Sequence, residues 1–388
     1  MRICIVYDCL FPYTVGGAER WYRNLAQRLA ADGHEVTYLT LRQWPRGETG
    51  EVPGVRVRTA GPRMALYRGA GQRRVLPPLA FGAGVLWHLL RHGRRYDVVH
   101  TASFPYFSLL AAGLARRAHG FRIVVDWFEL WSRTYWRDYL GGAGGRVGWA
   151  IQAACLRVPQ RAFCFARLTA ARLTAEGVRG ELTVLEGIYN GPLTAPAPLP
   201  ADPVAVFAGR HIPEKRAPAL VPAVARARAE VEGLRGLVLG DGPERGAVLA
   251  AIERLGLGDV VEAPGFVPTE LVEQALARAL CLVLPSAREG YGLVVVEAAA
   301  AGTPSIVVRG EDNAATELVE DGVNGFVADS AEPEVLARAI VRVHEAGGAL
   351  RESTAAWFGA NAERLSLGAS LERVAERYGG GAAASARS

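Results

Sequence analysis

The sequence has few of the residues and runs that mark several classes of protein. Its five cysteines are scattered over 388 residues with no Cys-x-x-Cys pair, which excludes a disulfide-stabilised scaffold and indicates reduced thiols in the core of a cytoplasmic protein. No apolar run reaches the roughly 18 residues of a membrane span. The first residues do not form a signal-peptide pattern. We therefore expect a globular cytoplasmic protein.

Lysine is almost absent, and the cations are distributed unevenly. Of the 44 cationic side chains only Lys215 is a lysine, which indicates a position that needs a compact ammonium group. Residues 1–190 carry a net charge of +13 and residues 191–388 a net charge of −8. The basic half would suit an anionic lipid or a phosphorylated acceptor, or would be a solvated arginine-rich surface. It contains no recognisable nucleic-acid-binding module, so we expect no nucleic-acid partner.

Apolar runs alternate with helical patterns along the chain. The predicted strands are residues 3–7, 34–41, 55–59, 97–100, 122–126, 162–165, 204–208, 237–239, 260–262, 281–284, 305–308 and 325–327. Because continuous Val/Ile runs separated by helices indicate parallel sheets covered on both faces, we predict an α/β protein with two doubly wound domains. The predicted parts are a first domain at 1–188, a linker with five prolines at 189–203, a second domain at 204–365, a last helix at about 366–379 and a disordered tail at 380–388.

Two loops at strand ends contain candidate anion-binding residues. Gly16 and Gly17 lie between the first strand and the first helix, where glycines let backbone N–H groups approach an anion, although many such pairs are only turns. Arg210 and Lys215 follow the first strand of the second domain, at the edge where doubly wound sheets bind ligands. Arginine chelates phosphate oxygens and lysine acts as a point charge, so these two residues indicate a diphosphate site. The alternative is a surface loop with two ordinary cations.

The stretch 285–297 is the most informative part of the sequence. Gly290 and Gly292 precede a predicted helix and free the backbone, so that N–H groups at the helix N-terminus can meet a phosphate. Glu289 and Glu297 are eight positions apart, and carboxylates accept hydrogen bonds from pairs of sugar hydroxyls. A carboxylate among the Val and Ala residues around Glu297 needs a partner. The alternative for Glu297 is a residue that complements the helix dipole.

These strings occur in an order that resembles a known family. They are Gly-Gly-Ala-Glu-Arg at 16–20, Gly-Arg-x4-Lys at 209–215, Gly-Asp-Gly-Pro at 240–243 and Glu-x7-Glu at 289–297. Together they resemble retaining glycosyltransferases of the GT-B fold, specifically glycosyltransferase family 4 (glycosyl transferases group 1). The resemblance covers nearly the whole chain and implies two Rossmann-like domains that face a cleft. The first would bind the acceptor, the second the donor, and the last helix would cross back onto the first.

The resemblance implies a role for each donor-site residue. Arg210, Lys215 and the backbone N–H groups of Gly292 and Leu293 would hold the donor diphosphate. Glu297 would bind the ribose hydroxyls, and Glu289 the transferred hexose. The other implied donor-site residues are Gly16 and Gly17 on the phosphates, Gly265 and Val267 near the base, and Gly290 and Tyr291 between the glutamates. The implied catalytic residues are Glu289, Arg210, Lys215 and His100.

The acceptor side departs from the family's pattern. Ala102 stands two positions after His100, where the family commonly has a second His, and Phe128 replaces another usual His. A polar role near the acceptor would then rest on His100, Asp126 or Glu129. A single His at a strand end is more often structural than catalytic.

The sequence also has no Asp-x-Asp motif, which removes the metal–diphosphate clamp of the other main glycosyltransferase fold. Cationic side chains and a helix N-terminus would replace the metal, so we expect no metal and no cofactor beyond the nucleotide-sugar co-substrate. The leaving phosphate can itself take the acceptor proton. The protein would then contribute positioning and charge stabilisation.

The resemblance implies a retaining hexosyltransferase. It would move a hexose from a UDP- or GDP-hexose to a saccharide or lipid-linked saccharide acceptor, in cell-envelope or exopolysaccharide biosynthesis. Two alternatives stay open: a nucleotide-sugar-binding scaffold with an inactive acceptor site, which the missing His motivates, and a nucleotide-sugar 2-epimerase, against which Glu-x7-Glu and the Arg/Lys loop argue. A dehydrogenase is disfavoured because the Gly-x-Gly-x-x-Gly fingerprint is absent.

Two segments of the basic half could face a membrane or an acceptor. Residues 127–149 hold four Trp and two Tyr and include a glycine run. These aromatics could stack on an acceptor sugar, lie at a lipid interface, or pack in the core beside a flexible loop. Residues 78–95 combine an apolar body with arginines at its end. That pattern suits peripheral contact with the inner face of an anionic membrane, or an ordinary core helix.

Overall fold

The chain forms two compact units. A computed structural model describes residues 1–14, 16–45, 47–66, 74–194 and 197–379. Of these, unit 1 contains residues 1–66, 74–185 and 370–379, and unit 2 contains residues 186–194 and 197–369. Most of the last helix therefore belongs to unit 1. The tail predicted at 380–388 lies outside the described residues.

Unit 1 is built on a parallel sheet with seven strands among the described residues. Their order is β3-β2-β1-β4-β5-β6-β7. The central strands are apolar and almost fully buried because helices cover both faces of the sheet. The strands are β1 (Arg2–Val6), β2 (Glu35–Thr40), β3 (Arg56–Thr59), β4 (Val98–Ala102), β5 (Arg122–Trp127), β6 (Gln160–Cys164) and β7 (Gly180–Val184).

Helices connect these strands and bury one apolar stripe each. The first begins at the second glycine of the pair and buries Trp21, Leu25 and Leu29 at helical spacing. It is followed by Gly33 with a φ of +80°, a conformation that suits glycine. The helices of unit 1 are α1 (Gly17–Ala31), α2 (Leu76–His92), α3 (Tyr106–His119), α4 (Arg133–Leu156) and α5 (Arg167–Ala175).

Unit 2 repeats this architecture with a second parallel sheet. Among the described residues its strand order is β10-β9-β8-β11-β13-β15, and β12 pairs with β14 in a separate two-stranded ladder. The strands are β8 (Val204–Ala208), β9 (Arg235–Leu239), β10 (Val261–Gly265), β11 (Cys281–Leu284), β12 (Arg288–Glu289), β13 (Ser305–Val308), β14 (Asp312–Asn313) and β15 (Gly325–Ala328). The remaining helices are α6 (Leu220–Ala227), α7 (Arg245–Arg254), α8 (Thr269–Arg278), α9 (Leu293–Ala300), α10 (Pro333–Leu365) and α11 (Leu367–Gly379).

The two parallel sheets confirm the predicted pair of doubly wound α/β domains. The prediction missed the two-residue strands β12 and β14 and one strand of the main sheets, β7. Strand β7 forms an edge of its sheet, and its half-exposed residues do not give the continuous apolar run of a central strand. The glycine run that could have been a flexible loop is instead part of α4, which is interrupted at Gly141. None of the helices in the described ranges is long and apolar enough to cross a bilayer.

The five cysteines are all buried and free, which confirms that they are core thiols. Burial raises the pKa of Cys4 and of Cys281 to about 12. Because the thiolate is the reactive form of cysteine, these two side chains are chemically inert near neutral pH.

Candidate active site

The strand orders place a topological switch point in each sheet. In unit 2, β8 lies between β9 and β11, and the chain continues outward in opposite directions from β8 and β11. Doubly wound sheets bind ligands outside the carboxyl ends of such strands. The loops that follow β8 and β11 carry Arg210, Lys215, Glu289 and the two glycines of residues 290–292. The fold therefore gathers most of the predicted donor residues at one edge.

Lys215 and Glu289 form an ion pair across this edge. Lys215 ends a short 3₁₀ turn after β8, and its ammonium group contacts the Glu289 carboxylate. The Ser286 hydroxyl donates to the same carboxylate oxygen at 3.0 Å. The Ala287 N–H donates to the Glu214 carbonyl at 2.8 Å, which ties the two loops together. The Lys215 side chain is 20% exposed and that of Glu289 is 8% exposed, so the pair is largely shielded but still reaches the surface.

Asn313 fixes the loop that carries Glu289 through hydrogen bonds. It is almost fully buried, and its amide donates to the Ser286 carbonyl at 3.0 Å and to the Val308 carbonyl at 2.8 Å. Its side-chain oxygen accepts from the Ala315 N–H at 3.1 Å. The sequence patterns did not point to Asn313 or Ser286. Both residues follow the end of a buried strand, and polar residues at that edge of a parallel sheet are a pattern that indicates a ligand site.

Gly292 allows α9 to begin beside these loops. Its φ is +98°, in the region that favours glycine, and a Cβ there would lie 2.7 Å from the Cβ of Ala315. Leu293 is the first residue of α9. N–H groups in the first turn of a helix have no partner within the helix, so this turn can donate to an anion.

Glu297 lies in the second turn of α9, half-buried. The first turn of α9 contains no acidic residue, so the dipole-complementing alternative for Glu297 is wrong. Burial and then the charge of Glu297 raise the pKa of Tyr189. Tyr291 is buried and donates its hydroxyl to the Glu186 carbonyl at 2.9 Å. Tyr291 therefore fixes the backbone between the two glutamates.

Three other predicted donor residues of unit 2 are Arg210, Gly265 and Val267. Arg210 is exposed, and within the described ranges its guanidinium has no hydrogen bond or ion pair. Gly265 ends β10 with a φ of +93°, and its carbonyl accepts from the Gly240 N–H at 2.9 Å. Val267 is half-buried, and the preceding Phe266 is 75% exposed. Gly265 and Val267 therefore lie at the end of the edge strand β10, whereas Arg210 shares the loop of Lys215 after the central strand β8.

Sequence reasoning also missed His211, between Arg210 and Lys215. Its ring has no exposed surface and packs edge-on against Phe207, with ring centroids 5.7 Å apart. Burial lowers the pKa of this imidazole. Its backbone N–H donates to the Asp241 carbonyl at 2.8 Å, which joins the loop after β8 to the loop after β9.

In unit 1 the glycine pair begins α1. Gly16 is in extended conformation, and a Cβ there would collide with the Glu19 carboxylate. Gly17 is exposed, and nothing would lie within 4 Å of a Cβ at that position. A larger residue at position 16 would therefore displace the Glu19 carboxylate, whereas the space around Gly17 is open.

His100 and Asp126 lie inside unit 1. Both side chains have no exposed surface, and His100 Nε2 lies 3.0 Å from an Asp126 oxygen. The Trp21 indole donates to the other Asp126 oxygen at 2.7 Å, and the Tyr378 hydroxyl bonds His100 Nδ1. In this conformation neither side chain can contact an acceptor. Their acceptor-side role stays a prediction, and the contacts fit a structural role.

Glu129 follows β5 and is half-buried. Its carboxylate accepts from the Trp131 indole at 3.1 Å. The Trp131 ring stacks on Phe104 and meets Tyr135 and Tyr139 edge-on. The aromatic residues of this segment therefore pack largely on one another, which supports the core-packing interpretation for them.

Comparison with known proteins identifies the family. Residues 196–363 match the family described as glycosyl transferases group 1, and residues 16–186 match a glycosyl transferase 4-like domain. A D-inositol 3-phosphate glycosyltransferase from Acidothermus cellulolyticus is 35% identical over 86% of this chain and 79% of its own length. The chain belongs to the group 1 glycosyl transferases. With three other curated relatives it aligns over only 33%, 14% and 30% of their lengths.

Solved structures of GT-B glycosyltransferases share the fold of this family member. Sucrose-phosphate synthase from Thermosynechococcus elongatus has a TM-score of 0.80 at 21% identity, over 97% of this chain and 98% of that one. Alr3699/HepE from Anabaena, solved with UDP-glucose, has a TM-score of 0.69 at 20% identity, over 97% and 99% of the two chains. At such identities the likeness shows the fold alone.

Proposed function

We propose that the protein is a retaining glycosyltransferase that moves a hexose from a UDP- or GDP-hexose to a saccharide or lipid-linked saccharide acceptor. The observation that carries this proposal is the Lys215–Glu289 pair, which lies at the switch point of unit 2 beside the first turn of α9. Cations, a carboxylate and free backbone donors there match the parts of a nucleotide-diphosphate sugar. A similar fold that binds UDP-glucose supports this donor class.

The reaction would break the bond between the anomeric carbon and the diphosphate oxygen. The acceptor hydroxyl oxygen would form the new bond on the same face of the sugar, and its proton would pass to the departing diphosphate. Arg210, Lys215 and the first turn of α9 would stabilise the negative charge that develops on the leaving group. Because these groups supply positive charge, we expect transfer to be independent of divalent metal.

Glu289 would exchange its partner when the donor binds. In the structure its carboxylate is held by Lys215 and Ser286. The donor diphosphate would draw the Lys215 ammonium towards itself, and Glu289 would then accept hydrogen bonds from hydroxyls of the hexose. Glu297, in the second turn of α9, would accept hydrogen bonds from the ribose hydroxyls.

A thermal-shift screen tests the donor proposal. UDP, GDP, ADP and their common sugar conjugates would be added with and without EDTA. A ligand of the native state raises the melting temperature, so we expect one nucleotide family to shift it regardless of EDTA, and Glu297→Ala to lose that shift. No shift with any nucleotide in well-folded protein, or a full shift in Glu297→Ala, would contradict the donor assignment.

Turnover separates the enzyme from the two alternatives. A transferase releases UDP or GDP and places the hexose on an acceptor or on water. A scaffold with an inactive acceptor site would bind the donor and release nothing, and a 2-epimerase would change the configuration of the sugar. Nuclear magnetic resonance of the donor pool distinguishes these three outcomes, and intact donor after long incubation with a panel of acceptors would favour the scaffold.

A peripheral contact with the inner face of an anionic membrane would fit this function. The face of α2 that other elements leave uncovered contains large apolar side chains, among them Trp87, which is 63% exposed. The Arg91 guanidinium lies 5.7 Å from the centre of the Trp87 ring, and Arg94 and Arg95 follow. Apolar groups beside cations suit an anionic lipid surface. Vesicles containing phosphatidylglycerol should bind the protein, and Trp87→Ser should weaken that binding; equal binding by both would remove the proposed surface.

A further inference from the structure

Helix α4 of unit 1 folds back on itself. Gly141 leaves the helical conformation, with φ 75° and ψ 174°, and the two segments on either side pack together. A Cβ on Gly145 would lie 2.6 Å from the Cα of Arg137, and one on Gly148 would collide with the Trp136 ring. The glycine run therefore serves close packing of two helical segments, and this contact builds the wall of a pocket.

The pocket between the two segments is strongly basic. Its volume is about 490 Å³, and its lining includes Arg133, Thr134 and Arg137 from the first segment and Arg146 and Trp149 from the second. No Asp or Glu occurs among the described residues that line it. A volume of this size suits a small ligand. The lining thus offers three guanidinium groups and a hydroxyl to one bound molecule.

Two of these arginines have no carboxylate partner among the residues that the structure describes. Within the described ranges, neither Arg133 nor Arg146 forms an ion pair or a hydrogen bond, and the Arg133 guanidinium lies 4.5 Å from the centre of the Trp149 ring. The Arg137 guanidinium lies 3.5 Å from Asp138, but both side chains are mostly exposed, and such a pair contributes little. Stacking on Trp149 restricts the orientation of Arg133 and leaves its N–H groups available.

We propose that this α4 pocket binds the phosphate group of a phosphorylated ligand, separately from the donor diphosphate. Guanidinium forks chelate phosphate oxygens and prefer them to neutral hydroxyls. Such a phosphate could belong to a soluble sugar phosphate or to a lipid headgroup. Leu140 and Val147 are exposed in the same helix and would contact the acyl chains of a lipid. If the phosphorylated ligand is the acceptor, that identity rests on the proposed function. The binding of a phosphate group in the pocket does not depend on the proposed function.

Calorimetry and vesicle sedimentation test the pocket and its source of phosphate. Glucose 6-phosphate would be titrated into the full chain, with glucose as the uncharged control. In parallel, phosphatidylcholine vesicles with and without phosphatidic acid would be sedimented with the protein. Arg133→Gln and Arg146→Gln should each weaken whichever probe binds by at least about ten-fold. Arg146→Lys should recover only part of that loss, because an ammonium group lacks the bidentate fork.

Two control variants test whether a loss of phosphate binding is specific to the α4 pocket. Arg157→Gln removes an exposed arginine at the end of the same helix, outside the pocket lining, and should bind as the wild type does. Lys215→Gln alters the donor loop and should leave glucose 6-phosphate binding unchanged, while a loss confined to that variant would assign the phosphate to unit 2 and overturn the proposal. Wild-type protein that binds neither probe, or pocket variants that match Arg157→Gln, would also overturn it. The nucleotide screen is read independently, so its failure would concern the donor site alone.

Discussion

Each unit holds a pair of polar side chains near the carboxyl edge of a central strand, and the two pairs differ in their exposure to solvent. In unit 2, Lys215 and Glu289 keep a small exposed surface and share one hydroxyl. In unit 1, His100 and Asp126 have no exposed surface, since an indole and a phenol complete their contacts. A pair that reaches solvent can exchange partners with a ligand, whereas a closed pair must stay intact for the fold.

Removing the closed pair should have the largest effect on stability. Asp126→Ala takes away the acceptor of the Trp21 indole and the neighbour of His100. The Trp21 N–H is the donor that loses its hydrogen bond, and a buried donor left without a partner costs about 1 to 3 kcal/mol, so we expect the free energy of unfolding to fall by about 1 to 3 kcal/mol. Chemical denaturation measures this change. Asp138→Ala, at an exposed position of the same unit, is the control. A change below about 1 kcal/mol would show that the pair is not a structural element.

Changing the open pair should have its main effect on activity. Glu289→Gln keeps the size of the side chain but removes the charge, and it leaves Lys215 without its carboxylate. We expect kcat/KM for the donor to fall by about 100-fold, with a melting temperature close to that of the wild type. Glu253→Gln, at an exposed position on α7 of the same unit, should leave both unchanged. A large loss of stability with retained turnover per folded molecule would make the two pairs alike and remove Glu289 from the site.

The single lysine gives a finer test of the open pair. Lys215→Arg keeps the charge but replaces a compact ammonium with a larger planar group in a loop held by the Glu214 carbonyl contact. We expect KM for the donor to rise by about ten-fold and kcat to change less. The neighbouring exposed cation gives the matched control, Arg216→Lys. Wild-type kinetics in Lys215→Arg would mean that only charge is required there.

One histidine in each unit should affect stability only at acid pH. Burial and the neighbouring His92 lower the pKa of His88 to about 4, and burial lowers that of His211. The unfolded chain binds a proton near pH 6.5, so the free energy of unfolding should fall as the pH drops from about 6.5 towards 4. Denaturation at several pH values should show a flatter profile for His88→Gln and for His211→Gln. Imidazole signals that titrate near pH 6.5 in the folded protein would contradict this expectation.

The sequence predicted the central strands of both sheets better than the edge strands and the packing of the helices. Strands such as β8, β11 and β13 were predicted with the bounds that the structure gives, because a strand buried on both faces is a continuous apolar run. Edge strand β7 and the two-residue strands β12 and β14 were missed because their residues are partly exposed or too few to form a pattern. The fold-back of α4 was also missed, because the glycine run fits a loop as well as a close helix contact.

The residues of the candidate site were also predicted only in part. The candidate donor residues were predicted because their types and spacings resemble a family. The contact between Lys215 and Glu289 was not predicted and comes from the structure. Ser286 and Asn313 were missed because a buried hydrogen bond to a backbone carbonyl leaves no periodic trace in the sequence. The burial of His100 and Asp126 could not be predicted either, since it depends on Trp21 and Tyr378 from distant parts of the chain.

The sequence by itself determined the two doubly wound sheets, the residue types at the carboxyl edge of the second sheet and the membership of the group 1 glycosyl transferases. Local periodicity records which side chains are buried, and short motifs record where the backbone turns tightly. Only the tertiary structure decided that Lys215 meets Glu289, that His100 is enclosed, and that α4 forms an arginine-lined pocket. Those outcomes depend on the order of strands in a sheet and on the packing of side chains far apart in the chain, which no local pattern encodes.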